Sequence, residues 1–439
     1  MVARAFKKLG HDVLFIIDEE QKLYRPEYRY SDITLPYPDW IKDFSPMPLW
    51  LLSNHIDNEK KKTIIALFKD CDFVVLNGYA VRFAEEIGKP VCAHLTGSDL
   101  IPLADNNYAD SLLKSYLELL YKENNIVKSS YKARFLDNKT LLELAGKTCS
   151  VLNLKIYSNS NYFKPKGALY NLLYFAGYKN WIKKQIKKQR EAIKNSFAYL
   201  YAIKGLVPRG DKLLEEIDAD ENKKITTLSV DTDYAAYYPP TDNSVIKIFN
   251  IARFNWVKTK SNERDFHELD FKGNDIMIKG ISIFYHKHKI QLDIRFVKKG
   301  RDLAESIELC KNLGINHLIT WLDELTQNEV LHEYQTADIL FDQLSNSVVT
   351  MGGLEGMAVG RPLIANSRPE IYEKLQGEKT AICQAKTPEE VCVWLEKLVP
   401  DKTFREQKGK ESREFVIKHY STEALANKIL QAFYNIKYN

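Results

Sequence analysis

The chain has 439 residues, 45% of them hydrophobic, which suggests two or three domains with sizeable cores. Its formal net charge of +5 is too small to imply nucleic acid by itself, and its six scattered cysteines contain no Cys-x-x-Cys pair, which argues for reduced thiols in a cytosolic protein and against a structural zinc. No signal peptide, long apolar transmembrane run or internal repeat is legible.

In chain order, residues 1–11 read as a helix closed by Gly10, followed by a strand over Asp12 to Ile17. Asp72 to Asn77 reads as a buried strand, and Lys89 to Thr96 as another that runs into Gly97-Ser98-Asp99-Leu100. His94 and Thr96 share one face of that strand because side chains alternate, and a lone His is more often a hydrogen-bonding structural residue than a catalyst. Asn106 to Lys204 reads as a long, aromatic, helical insertion. Within it, Leu169 to Phe175 is aromatic and Trp181 to Arg190 is an amphipathic basic helix. Two readings stay open there: contact with anionic lipid through about residues 169–194, or a solvated helix packed through Ile182, Ile186 and Ile193. The interleaving of aromatic and basic residues expected of an RNA binder is missing.

Asp231-Thr232-Asp233 has the Asp-x-Asp form of a metal-bound diphosphate site and sits ahead of a Pro239-Pro240 linker, so a metal role and a linker role are both to be weighed. Val245 to Arg253 alternates as a strand and ends in an Arg, and Lys272-Gly273-Asn274-Asp275 opens a helical pattern that runs to His288. His286 and His288 read as a solvated helix end rather than metal ligands. Ala337 to Phe341 is a buried strand, Arg361 to Ala365 the next, and Gly352 to Ala358 a helix start between them, with Glu355 a lone carboxylate in the first turn. Ligands of parallel α/β sheets sit beyond the carboxyl ends of the strands, facing helix N-termini. A carboxylate there can accept hydrogen bonds from vicinal ribose hydroxyls, while Gly352 and Gly353 let a diphosphate approach the backbone. An acidic residue is also favourable in any first helical turn, so both readings of Glu355 stand.

Glu355-Gly356-Met357-Ala358-Val359-Gly360-Arg361-Pro362 resembles the second half of the donor-site motif of family-four retaining glycosyltransferases. That motif is Glu-x7-Glu, its second Glu continuing Ala-Met-Ala-x-Gly-x-Pro, and Gly356 stands in place of the first Ala. The resemblance implies an α/β chain of the GT-B fold, with two Rossmann-like domains facing an interdomain cleft. Residues 1–236 would form the acceptor-side domain with its helical insertion at about 106–204, residues 237–420 the nucleotide-sugar domain, and residues 421–439 a helix crossing back. It places ribose binding on Glu355, further donor contacts on Gly352, Gly353 and Leu354, and the cations for the leaving diphosphate on Arg253 and Lys272. Lys272-Gly273 is favoured over Lys279-Gly280 because it stands at a helix start. The first Glu of the motif falls on Ser347, which can hydrogen-bond a sugar hydroxyl but supplies no charge, and Asp342-Gln343 are the candidates to substitute in part. Thr96-Gly97-Ser98-Asp99 resembles the family's loop at the sugar, so Thr96 and Asp99 are candidates for contact with the transferred sugar or acceptor.

The function implied is retaining transfer of a sugar from a nucleotide sugar to a hydroxyl of a glycan or lipid-linked acceptor. No cofactor, metal or nucleic acid is expected, and the location expected is cytoplasmic, with peripheral contact at the inner face of the membrane only on the lipid-contact reading of residues 169–194. Segment 229–240 resembles the family's interdomain Val-Asp-Thr-x-x-(aromatic)-x-Pro segment, which implies a hinge rather than a metal role for Asp231-Thr232-Asp233. A competing class is a non-catalytic nucleotide-sugar-binding or inactive partner protein of the same fold. Ser347 favours it, as does the lack, ahead of the first helix, of the family's opening strand and glycine-rich loop, whence the expectation that the sequence begins late or lacks one wall of its site. A nicotinamide dehydrogenase is disfavoured because no G-x-G-x-x-G follows a strand.

Overall fold

The computed structural model describes residues 2–17, 25–45, 58–95, 183–226, 228–258, 271–345 and 349–438. They divide into two compact units. The first comprises residues 15–25, 39–227 and 428–439, and the second residues 1–14, 26–38 and 228–427. The first unit carries a parallel pair, β1 (Phe15–Ile17) on β2 (Ile41–Asp43), and a four-stranded parallel sheet in the order β3-β4-β5-β6. Those strands are Val74–Asn77, Val91–His94, Ala198–Tyr201 and Lys224–Thr226. The second unit carries a six-stranded sheet in the order β12-β11-β10-β7-β8-β9, every pairing parallel. In chain order its strands are β7 (Ile246–Asn250), β8 (Leu292–Val297), β9 (Ile319–Leu322), β10 (Ile339–Phe341), β11 (Leu363–Ala365) and β12 (Cys383–Gln384). The α/β class with parallel sheets expected from the sequence is therefore the architecture found.

Parallel strands covered by helices on both faces read as unbroken apolar runs, and β10 and β11 do, every residue of each being buried. The core of the second unit gathers Ile248, Phe296 and Ile339 from the strands with Met277, Ile281 and Val391 from the helices above them. Two helices in that layer, Asn274–His288 and Pro388–Leu398, touch so closely that a Cβ on Gly280 would lie 2.5 Å from Val391 Cβ. Gly280 is thus a packing glycine, and Lys279 turns outward to Asp275 at 2.9 Å. His288 and Lys287, at the same helix's end, share Glu396 at 2.7 and 2.6 Å. No group of three or more His, Cys, Asp or Glu suited to a metal occurs among the described residues.

Several expectations change. The helical insertion cannot reach Lys204, because Ala198–Tyr201 is a fully buried strand inside the first sheet. Its Ala-Tyr-Leu-Tyr run follows a basic helix directly and so merges with it when only periodicity is read. The described part of that helix, residues 183–195, turns Ile186 and Ile193 inward, and Gln189 donates to the Gly78 carbonyl at 3.1 Å. Residues 169–182 lie outside the described residues, as do Thr96, Asp99 and Ser347. The division also differs from a boundary at residue 236, since residues 1–14, 26–38 and 228–236 group with the second sheet. Ion pairs of Lys8 with Asp233 and Glu423, and of Arg4 with Asp231, draw the first helix there. Along the last helix, Thr422–Tyr438, residues up to 427 group with the second unit. The remainder groups with the first unit, where the Phe433 ring stacks 4.8 Å from Phe73. No described helix is long and apolar enough to cross a membrane.

Candidate functional site

The register of the second sheet pairs Phe341 with Asn250 on one side and Ile364 on the other. The carboxyl ends of β7, β10 and β11 are therefore adjacent, which is where a parallel α/β sheet presents ligand-binding loops. β7 stops at Asn250, whose side-chain oxygen accepts from Ala252 N at 3.3 Å, so Arg253 lies in the following loop rather than on the strand. Its side chain is exposed. The loop is held from beneath: Asp302 Oδ2 accepts from Trp256 N at 2.6 Å and Val257 N at 2.9 Å.

Lys272 is stitched between two of these strand ends. Its N–H donates to the Asn255 carbonyl at 2.7 Å, and its carbonyl accepts from Leu344 N at 2.9 Å. Its Nζ donates to Gln343 Oε1 at 3.2 Å. Gly273 follows at φ +67°, and a Cβ there would sit 2.6 Å from Ser345 N, so glycine is required both by the left-handed backbone and by the close pass of the β10 loop. The helix Asn274–His288 starts directly after it.

The other helix N-terminus departs from its expected start. Thr350 caps it by accepting from Gly353 N, and the helix runs Met351–Val359. Glu355 is consequently in the second turn, not the first. Helix-dipole stabilisation of an acid falls off within the first turn, so that explanation of Glu355 loses its footing. The glycines also have another duty than approach to a phosphate. A Cβ on Gly353 would lie 2.5 Å from Asp342 Oδ2, and one on Gly356 2.1 Å from Leu340 Cδ1, so both let the helix lie flat on β10. Leu354 is fully buried and its N–H is taken by the Thr350 carbonyl at 3.0 Å. The first two helical amides, Met351 and Gly352, are those that helix geometry leaves unpaired within the helix.

Asp342 links strand end to helix start: its Oδ2 accepts from Thr350 N at 2.8 Å and Thr350 Oγ1 at 2.9 Å. Burial raises its pKa, opposed by those hydrogen bonds and by the Lys272 charge. Glu355 has a partner that sequence reasoning missed. Arg29, in the turn after Pro26–Tyr28, donates from Nη2 to Glu355 Oε1 at 2.5 Å. Burial raises the Glu355 pKa, and the Arg29 charge and hydrogen bond work against that rise. Tyr234 lies under the guanidinium at 4.4 Å. Tyr334 is buried with its hydroxyl 3.0 Å from where a Gly352 Cβ would be. Thr350 could have been found as a capping residue one position ahead of the helix, whereas Arg29 carries no local signal. In the first unit, burial pushes His94 down to about 4, leaving the imidazole neutral, in keeping with a structural role.

Asp231 and Asp233 are engaged as turn and ion-pair groups. Asp231 Oδ1 accepts from the N–H groups of Asp233 and Tyr234 at 3.1 and 3.2 Å, and Asp233 pairs with Lys8.

No family model matches the chain. Among curated proteins it is similar to an uncharacterized glycosyltransferase of Methanocaldococcus jannaschii, 23% identical over 163 residues, which is 37% of this chain and 41% of that protein. It is also similar to D-inositol 3-phosphate glycosyltransferase of Corynebacterium diphtheriae, 25% identical over 146 residues, 32% of this chain and 34% of that protein. The chain thus spans less than half the length of either curated relative. Among solved structures, sucrose-phosphate synthase from Thermosynechococcus elongatus matches at 12% identity with a TM-score of 0.48, over 99% of this chain and 91% of that one.

Proposed function

We propose that the chain is a glycosyltransferase of the GT-B fold that moves a sugar from a nucleotide-sugar donor to a hydroxyl, with retention and without a metal. The observation that carries the reading is the meeting of Lys272, Gln343 and Asp342 at the adjacent ends of β7 and β10 beside two helix N-termini, one of them that of the helix carrying Glu355. Both curated relatives bear glycosyltransferase names, which supports the same reading.

In this reading the donor's diphosphate lies against the Met351 and Gly352 amides, with Lys272 and the exposed Arg253 as its cations. Charge on the leaving diphosphate grows as the glycosidic bond breaks, and fixed cations stabilise that change more than they stabilise the bound donor. Glu355 takes the ribose hydroxyls. The acceptor is a glycan or lipid-linked hydroxyl, with Thr96 and Asp99 as its candidate contacts. Ser347 supplies a hydroxyl at the sugar where the motif has a carboxylate.

The test is a panel of nucleotide sugars with the full chain, scored for transfer and for donor hydrolysis. Lys272→Ala and Arg253→Ala should each lower turnover by about a hundredfold or more, the scale of losing one preorganised transition-state contact. Turnover equal to the parent in both would refute the donor assignment. Tight nucleotide binding with neither transfer nor hydrolysis would leave a non-catalytic binding protein instead.

A further inference from the structure

We infer that Arg29 is a positioning residue for donor binding: it holds the Glu355 carboxylate charged and fixed through one oxygen, and leaves the other to the donor's ribose. The inference rests on the reading of Glu355 as the ribose acceptor.

Three observations carry it. The contact is made on Oε1 alone, at 2.5 Å, with both side chains 17% exposed. A carboxylate has about four acceptor positions on its two oxygens, so a single N–H leaves enough for a vicinal diol. Arg29 is also held independently of Glu355. Its guanidinium lies 4.4 Å over the Tyr234 ring and 5.9 Å from the Tyr30 ring, and Arg4 covers Tyr30 at 4.2 Å. Arg4 is itself fixed by two hydrogen bonds of 2.8 Å to Asp32. A guanidinium stacked on aromatic rings keeps its orientation when its carboxylate partner shifts, which suits a fixed prop better than a mobile latch.

The third observation is the surrounding charge. Arg29 comes from the turn at 26–30, Asp231 and Tyr234 from the segment after β6, and Tyr334 from the helix Gln327–Thr336. Of these groups facing Glu355, Arg29 alone is cationic, while Asp231 and burial both favour a proton on the carboxylate. A protonated Glu355 would lose the charged acceptor on which ribose recognition depends.

The experiment uses the full chain and calorimetric titration with UDP and GDP as probes, at about pH 7 and about pH 9, each variant expressed as a ratio to the parent at the same pH. Arg29→Met should bind about tenfold more weakly at the lower pH and recover toward the parent at the higher one, as the unpaired Glu355 ionises. Arg29→Lys should regain most of the affinity. Glu355→Gln should bind weakly at both pH values, and adding Arg29→Met to it should cost nothing further. Tyr234→Leu, which removes the stack and keeps both charges, should shift binding in the same direction by less. Arg29→Met binding as tightly as the parent, or tighter, would overturn the inference and make Arg29 a competitor of the ribose. A loss equal at both pH values would overturn it too, as mere packing. Should Glu355→Gln match the parent, the ribose reading itself fails; a weak Glu355→Gln beside an unaffected Arg29→Met sinks only the role of Arg29.

Discussion

Asp342 shows how a single buried carboxylate can set both architecture and pH response. Its Oδ2 accepts two hydrogen bonds from Thr350, which fixes the start of the helix carrying Glu355, yet burial still raises its pKa. A carboxyl whose folded pKa is raised contributes stability that is fully present below its unfolded value of about 4 and lost as pH rises through the folded value. The stability of the parent relative to Asp342→Asn should therefore fall as pH climbs from about 4 toward neutrality, since Asn keeps an oxygen for Thr350 but cannot ionise. Urea denaturation across that range measures the difference, and a flat or rising difference would contradict the raised pKa. Glu355 shifts in the same direction, so the single variant removes only one of two such contributions.

At the scale of elements, the helix Met351–Val359 owes its position to glycines that make room for their own chain. Gly353→Ala would put a methyl 2.5 Å from Asp342 Oδ2 and 3.1 Å from Leu363 Cδ2. The gain in helix propensity, about 1 kcal/mol, is smaller than the typical overpacking cost of about 1–3 kcal/mol. Gly353→Ala should thus lose stability and, on the proposed function, weaken nucleotide binding together, because the displaced helix carries Glu355 and the Met351 and Gly352 amides. Gly280→Ala meets Val391 at the same 2.5 Å within the helix pair, and should lose stability with nucleotide affinity nearly unchanged. Thermal midpoints and calorimetry on both variants separate the two effects. The contrast also shows what was legible in advance. β10, β11 and the Lys272-Gly273 helix start could be read because buried parallel strands are continuous apolar runs and a helix start has local signals. The start at Met351 could not be read past a pair of glycines, which look like loop until Tyr334 and Asp342 are seen beneath them. β5 was hidden because an aromatic strand followed a basic helix without a turn signal. Arg29 was invisible for a stronger reason: it meets Glu355 across 326 residues, and no periodicity records such a contact.

For the whole molecule the sharpest expectation concerns the source of positive charge on the leaving diphosphate. Under the proposed function two sources are physically available, a divalent ion held by carboxylates or side-chain cations with helix N-termini. The Asp-x-Asp of the segment ahead of the second sheet, Asp231-Thr232-Asp233, spends its carboxylates otherwise: Asp231 is buried, closes a turn through the N–H groups of Asp233 and Tyr234, and faces Arg4 at 3.6 Å, while Asp233 pairs with Lys8. Placing a metal there would mean breaking these contacts. Lys272, by contrast, is fixed at a strand end beside Gln343 with a helix starting after it. Transfer by the full chain should accordingly survive excess EDTA, and Asp233→Ala should lose no more than a surface ion pair contributes, about 0–1 kcal/mol of stability, with turnover within a few-fold of the parent. Loss of turnover in EDTA that manganese restores, together with collapse of turnover in Asp233→Ala, would move the diphosphate site from β7 and β10 to the Asp231 turn and overturn the roles given to Arg253 and Lys272.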